Sequence, residues 1–272
     1  PNFFPCIEPR SLSRLFLCMR KNFIGTLSLW KILGWFLRTT RVGSALGVPI
    51  EIHHLMLLLP LFCYGDLPFL LLLISLYFCI LLHELGHIRI IQWFGFPVEK
   101  IVLSLLGGTT KIGDTETVLH FAQKPKKEFL MAIAGPIVNF VLAGYFLLSN
   151  FFFPNWFFTG LASLNLLLGV FNLFPAFPMD GGRILRAIFL WRGKVSYSQA
   201  TAKTLKVGNL FFFVFLILGL YSGNFFIVFF IFFLYLIGKV ELVKSYQIES
   251  LLSPPIWPNN ESNLVPIFIR PF

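Results

Sequence analysis

The residues best suited to chemistry stand together as His83-Glu84-Leu85-Gly86-His87. On a helix, positions i and i+4 share a face, so two imidazoles at that spacing can hold one metal ion. Glu84 sits about 100° around the helix from His83, close enough to reach a water at that metal. Imidazole and carboxylate suit zinc, which lowers the pKa of the water it holds towards about 7. Glu84 would take a proton from that water and later pass it to a leaving amine. The competing reading is a pair of histidines satisfied inside a helix bundle.

The elements that carry this motif are apolar. The chain has 272 residues, 57% hydrophobic and only 12% charged, with a mean hydropathy of +0.79. A soluble domain carries about twice that charge fraction, so a soluble enzyme and a disordered chain are both excluded. The net charge of +10 reads as membrane topology rather than nucleic-acid binding. Cys6, Cys18, Cys63 and Cys79 form no CxxC pair and suggest neither a disulfide framework nor a structural zinc site.

A bilayer-crossing helix needs about 20 apolar residues. Six such spans are expected, at about 48–64, 69–93, 129–149, 157–178, 207–221 and 225–238. Of the 22 Lys and Arg, Arg89 stands near the end of the second span, and the others fall before the first span, between the second and third, between the fourth and fifth, or after the sixth. Six spans put these groups on one side, the cytoplasm, with both termini there. Phe23–Leu37 is apolar around Lys31 and is expected to lie on the membrane surface. The expected organisation is an N-terminal interfacial segment over 1–41, a membrane domain over 42–240 and a short cytoplasmic tail over 241–272.

A zinc protease needs a third protein ligand, and only 12 acidic residues are available. Asp66 belongs to an external turn, and Glu99, Asp114, Glu116 and Glu128 to a cytoplasmic loop. His83 lies about 14 residues, or about 21 Å, into its span. Asp180, at the cytoplasmic end of the fourth, comes to a similar depth. It closes the run Asn172-Leu173-Phe174-Pro175-Ala176-Phe177-Pro178-Met179-Asp180-Gly181-Gly182, whose prolines and glycines cannot continue a regular helix. Broken backbone at membrane depth is tolerated where it lines a cavity. The bland alternative is a helix end with a capping Asp.

HELGH in one span and NLFPAFPMDGG in a later one resemble the site-2 protease family of intramembrane zinc metalloproteases. Leu105-Leu106-Gly107-Gly108 is similar to the family's glycine pair in a loop that re-enters the membrane. Glu128 to Asn139 (EFLMAIAGPIVN) is similar to its third-span opening. Met179 stands where the family usually has Leu. The likeness covers about residues 42–240 and is nearest to the bacterial and archaeal branch that includes the sporulation pro-sigma-factor protease.

The resemblance implies an all-α polytopic membrane protein with six transmembrane helices. Three of them would form the catalytic core, beside a small membrane re-entrant loop or hairpin. It implies one Zn2+ held by His83, His87 and Asp180, Glu84 as general base, and Asn172 positioning substrate or stabilising the tetrahedral intermediate. The implied partners are a lipid bilayer and a membrane protein with a transmembrane segment, with no nucleic acid; the implied location is a bacterial cell membrane.

A substrate helix must unwind before it is cut, and unpaired backbone in lipid costs several kcal/mol per group. A strand edge at Gly107-Gly108 could re-pair it. Among smaller polar groups, Asn139 reads as a helix–helix hydrogen bond, Cys79 as a packed small residue and His120 as a loop residue. The rival function is a catalytically silent relative that binds membrane helices as a scaffold; the presence of Glu84 and all three metal candidates argues against it. Five histidines are too few for a membrane di-iron enzyme.

Overall fold

The computed structural model describes residues 38–58, 66–104, 107–193 and 195–252. The chain divides into two units, Pro1–Gly113 with Ile137–Leu167, and Asp114–Pro136 with Leu168–Phe272.

The first unit begins with strands β1 (Thr39–Ala45) and β2 (Val48–His53), followed by a 3-10 segment (His54–Leu58). Helix α1 (Leu67–Trp93) and strands β3 (Lys100–Ser104) and β4 (Gly107–Lys111) complete its N-terminal part. The strands form one sheet in the order β1-β2-β3-β4. The outer pairs are antiparallel and β2 runs parallel to β3, as strands do when a helix, here α1, carries the chain between them. Leu46 (φ 51°) and Gly47 (φ 78°) make the β1–β2 turn; two consecutive positive φ values are what a two-residue type I′ hairpin needs.

Helix α1 starts where Asp66 accepts a hydrogen bond from the Phe69 N–H at 3.0 Å, with Pro68 in its first turn. Tyr77, Leu81, Leu85 and Ile88, spaced three to four apart, pack on Val48, Ile50, Ile101 and Leu103 of the sheet. Leu71, Ile74 and Phe78 are exposed, the kind of apolar surface that a bilayer covers.

The second unit contains α2 (Thr115–Gln123), α5 (Asp180–Arg192), α6 (Tyr197–Tyr221) and α7 (Phe225–Leu252). Helices α3 (Pro125–Phe152) and α4 (Trp156–Asn172) contribute residues to both units. A reciprocal capping box between Ser196 and Gln199 starts α6. The turn into α7 is allowed by Gly223, at φ 66°. Ala176, Met179, Phe212 and Leu234 form the apolar centre of this unit.

The structure differs from the expectations above at several points. The protein is mostly helical but not all-α, because a four-stranded sheet is present. Of the six expected transmembrane helices the described residues bear on only part: among them α1, α3 and α6 are long and apolar enough to cross a membrane, and α4 is a shorter apolar helix. The first expected span, about 48–64, is strand and 3-10 turn as far as residue 58. Val48, Ile50 and Ile52 alternate with Pro49, Glu51 and His53, a period of two that summed hydropathy conceals. His120 lies on α2 rather than in a loop. The surface helix expected over Phe23–Leu37, residues 59–65 and the chain after 252 lie outside the described residues. The Gly107-Gly108 loop is strand β4, half of a hairpin with β3.

Candidate metal centre

The first unit holds the HELGH motif on α1. His83, Glu84 and His87 are all buried, the least covered of them only 9% exposed. The two Nε2 atoms face each other at 3.1 Å, with the rings edge to face, 4.8 Å between centroids. Two nitrogens bound to one tetrahedral zinc at about 2.0–2.1 Å stand about 3.3 Å apart. The pair therefore already has the bite that zinc requires, and the donor type fits that metal.

Strand β4 closes over Glu84. The Thr110 hydroxyl donates to Glu84 Oε2 at 2.7 Å. A Cβ on Gly108 would stand 2.6 Å from Glu84 Cγ and 3.0 Å from its Oε1, so this position admits only glycine if Glu84 stays where it is. β4 lies at the end of the sheet order, which makes it an edge strand.

Behind His83 lies a line of buried amides. His83 Nδ1 bonds Asn139 Oδ1. Asn139 Nδ2 donates to Asn165 Oδ1 at 3.1 Å, and Asn165 Nδ2 to the Leu161 carbonyl at 2.9 Å. Both asparagines are fully buried. Asn139 is thus the interhelical hydrogen bond expected of it, and it also contacts a candidate metal ligand. Asn165 and Thr110 were missed, since neither belongs to a recognisable motif. The signal available was a polar residue within an apolar helix.

The second unit holds Asn172 and Asp180 at the two ends of the break between α4 and α5. Asn172 is the last residue of α4, and its Nδ2 donates to the Leu168 carbonyl at 3.0 Å. Asp180 is the first residue of α5. Between them the backbone turns back on itself: Ala176 N–H reaches Phe174 O at 2.7 Å and Met179 N–H reaches Ala176 O at 3.0 Å. A Cβ on Gly181 would stand 2.2 Å from the carbonyl oxygens of Leu173 and Phe174, and one on Gly182 2.8 Å from Ala176 C. The two glycines after Asp180 are thus required by backbone packed on backbone. Gly208 of α6 leaves room for Ala176, 2.8 Å from where its own Cβ would be.

One guanidinium holds this region. Arg186 Nε and Nη2 donate to Glu128 Oε1 at 3.0 and 2.5 Å, and Nη1 donates to Glu241 at 3.2 Å. Its charge lies 4.5 Å from the centre of the Tyr197 ring and 5.1 Å from that of Phe177, in the break itself. The sequence reading treated Glu128 and Arg186 as loop charges; a charged pair inside an apolar chain is the signal that was there to use.

Apolar membrane helices and a buried HExxH pair define a membrane-embedded metalloprotease class. A profile of peptidase family M50 matches residues 71–156 and 149–216, more than half of the chain. The chain belongs to that family, the site-2 proteases. It is similar to a zinc metalloprotease of Methanocaldococcus jannaschii, with 34% identity over 223 residues that cover 78% of this chain and 62% of the relative. It is also similar to stage IV sporulation protein FB of Bacillus subtilis, 30% identical over 119 residues, 43% of this chain and 40% of that one. The chain therefore spans less than two thirds of either relative's length. The solved structure of the site-2 protease from Methanocaldococcus jannaschii aligns with a TM-score of 0.56 at 33% identity, covering 75% of this chain and 95% of that one. Zinc is the metal named for the archaeal relative, and the His83–His87 pair suits it.

Proposed function

We propose that the protein is an intramembrane zinc endopeptidase that cuts peptide bonds in transmembrane segments of other membrane proteins. The observation that carries this reading is the His83–His87 nitrogen pair, 3.1 Å apart, with Glu84 beside it under strand β4. His83 and His87 would hold one zinc per chain with Asp180 as third ligand. Asp180 is supported by its family motif and by the glycine-locked turn that fixes it at the start of α5. When bound, zinc supplies Lewis acidity that makes a water acidic near neutral pH and polarises the scissile carbonyl.

The chain's own groups do the rest. Glu84, held by the Thr110 hydroxyl, accepts the proton of the attacking water and delivers it to the leaving amine. Asn172 uses one amide hydrogen on Leu168 and keeps a second to donate to the developing oxyanion. The free edge of β4 pairs with substrate backbone that has left its helix, replacing hydrogen bonds the bilayer cannot supply. The charge distribution supports a multi-pass protein of the cell membrane with its basic loops and both termini in the cytoplasm.

The test is cleavage of a panel of single-span proteins in liposomes by the native chain, by Glu84→Gln, and by chelator-stripped protein before and after zinc is restored. Cleavage lost in the variant and on stripping, and regained with zinc, is the expected result. One zinc per chain with no cleavage of any substrate would favour the scaffold reading. Absence of bound zinc would remove the ligand assignment.

A further inference from the structure

The amide line behind His83 has a direction that its far end fixes. The Leu161 carbonyl can only accept, so Asn165 must turn its nitrogen towards it. That leaves the Asn165 oxygen for Asn139. Asn139 then donates through Nδ2 and presents its own oxygen to His83 Nδ1. An amide oxygen cannot donate, so Nδ1 carries the hydrogen and Nε2 carries the lone pair, on the side facing His87.

We propose that Asn139 and Asn165 are positioning residues: a two-amide relay, anchored on the Leu161 carbonyl, that fixes the tautomer and ring orientation of His83 for metal binding. The inference rests on the zinc reading above. Metal-ligating histidines usually donate their second N–H to a carboxylate, a backbone carbonyl or a water, and such partners tune affinity by about 10–100-fold. Here two side-chain amides carry the orientation from a backbone carbonyl to the ring without adding a charge. In a membrane segment that avoids burying another anion.

Two measurements test it. The first is 15N NMR of metal-free, histidine-labelled native protein at a pH where the imidazoles are neutral, with His83 assigned by its loss in His83→Gln. His83 protonated on Nδ1 is expected; His83 protonated on Nε2 overturns the relay without any variant having to fold. The second is zinc affinity by chelator competition. Asn139→Leu is expected to weaken binding by about 10–100-fold, and Asn165→Leu to weaken it less, because Asn139 can then turn its amide. Asn139→Asp, which keeps an acceptor oxygen on Nδ1, is expected to stay within a few-fold of native. Native affinity in both leucine variants would mean that the asparagines only pack, and would leave the zinc reading intact. No zinc bound by the native chain, or native affinity in His83→Gln and His87→Gln, would overturn the zinc reading instead, and the tautomer measurement would still decide whether the relay sets the ring.

Discussion

The two units secure their buried polar groups by opposite means. In the first, His83 is tied through two neutral amides to a backbone carbonyl. In the second, the break before Asp180 is backed by one guanidinium and two carboxylates. A neutral line leaves the charge near His83 to Glu84 and to whatever the histidines bind. An ionic knot holds several helices at one point, but it depends on every member. Losing one partner of a buried neutral hydrogen bond costs about 1–3 kcal/mol, while stripping a buried ion of its partner costs about 3–5 kcal/mol.

That difference gives the largest expected effect. Arg186→Met leaves Glu128, 2% exposed, without its counter-charge, and should lower stability by about 3–5 kcal/mol, read as a fall in the unfolding midpoint in detergent. Asn139→Leu should cost clearly less. Adding Glu128→Gln to Arg186→Met should recover part of the loss, since no uncompensated anion then remains there. Equal destabilisation by the two single variants would break the contrast between the units.

Glycines probe the same contrast through sterics. At Gly181 an added Cβ meets two backbone carbonyls at 2.2 Å, which cannot step aside, so Gly181→Ala should destabilise the turn by about 1–3 kcal/mol. At Gly108 the added Cβ meets only the Glu84 side chain, at 2.6 Å, and that side chain can swing. Gly108→Ala should keep near-native stability yet lower kcat by about 100-fold, the scale of a 1 Å misplacement. Thr110→Val, which removes the hydroxyl from Glu84 and keeps the shape, should cost about tenfold in kcat with little change in KM, consistent with about 1.5 kcal/mol for a hydrogen bond to a charged group. A loss confined to KM would assign Thr110 to substrate binding instead.

How legible this was differs between motif and scaffold. HELGH gave its residue types and its face directly, because helical spacing is a local property, and α1 runs within two residues of the expected span at its start. The break at Leu173 to Met179 was equally plain from its prolines, but α5 behind it was not, since Gly181 and Gly182 read as loop until they are seen packed against the turn. The sheet escaped because Val48 to His53 was scored by total hydropathy, which a strand buried on alternate positions can satisfy as well as a helix. Asn139 stands 56 positions from His83 and 26 from Asn165, and Thr110 stands 26 from Glu84; no local rule pairs them, and only the fold does.

The smallest prediction sets an exposed ion pair against the buried one. Glu51 of β2 accepts from the Thr39 hydroxyl at 2.6 Å and pairs with Lys100 Nζ at 3.0 Å. The Thr39 hydrogen bond first, and Lys100 next, hold its carboxyl below the ordinary value of 4.5. With the folded-state pKa depressed, the stabilisation is complete above the unfolded value and disappears as pH falls through the folded one. The affected window therefore opens near pH 4.5 and extends downwards. Because water and salt screen a pair at this depth, its worth is about 0–1 kcal/mol, against about 3–5 kcal/mol for stripping Glu128 of Arg186. Glu51→Gln should flatten the acid limb of the stability profile by that small amount, and high salt should do the same to the native chain while leaving the Arg186 effect in place. Should salt weaken both alike, the Arg186 cluster is solvated, and the distinction between the two units narrows to one of hydrogen-bond geometry.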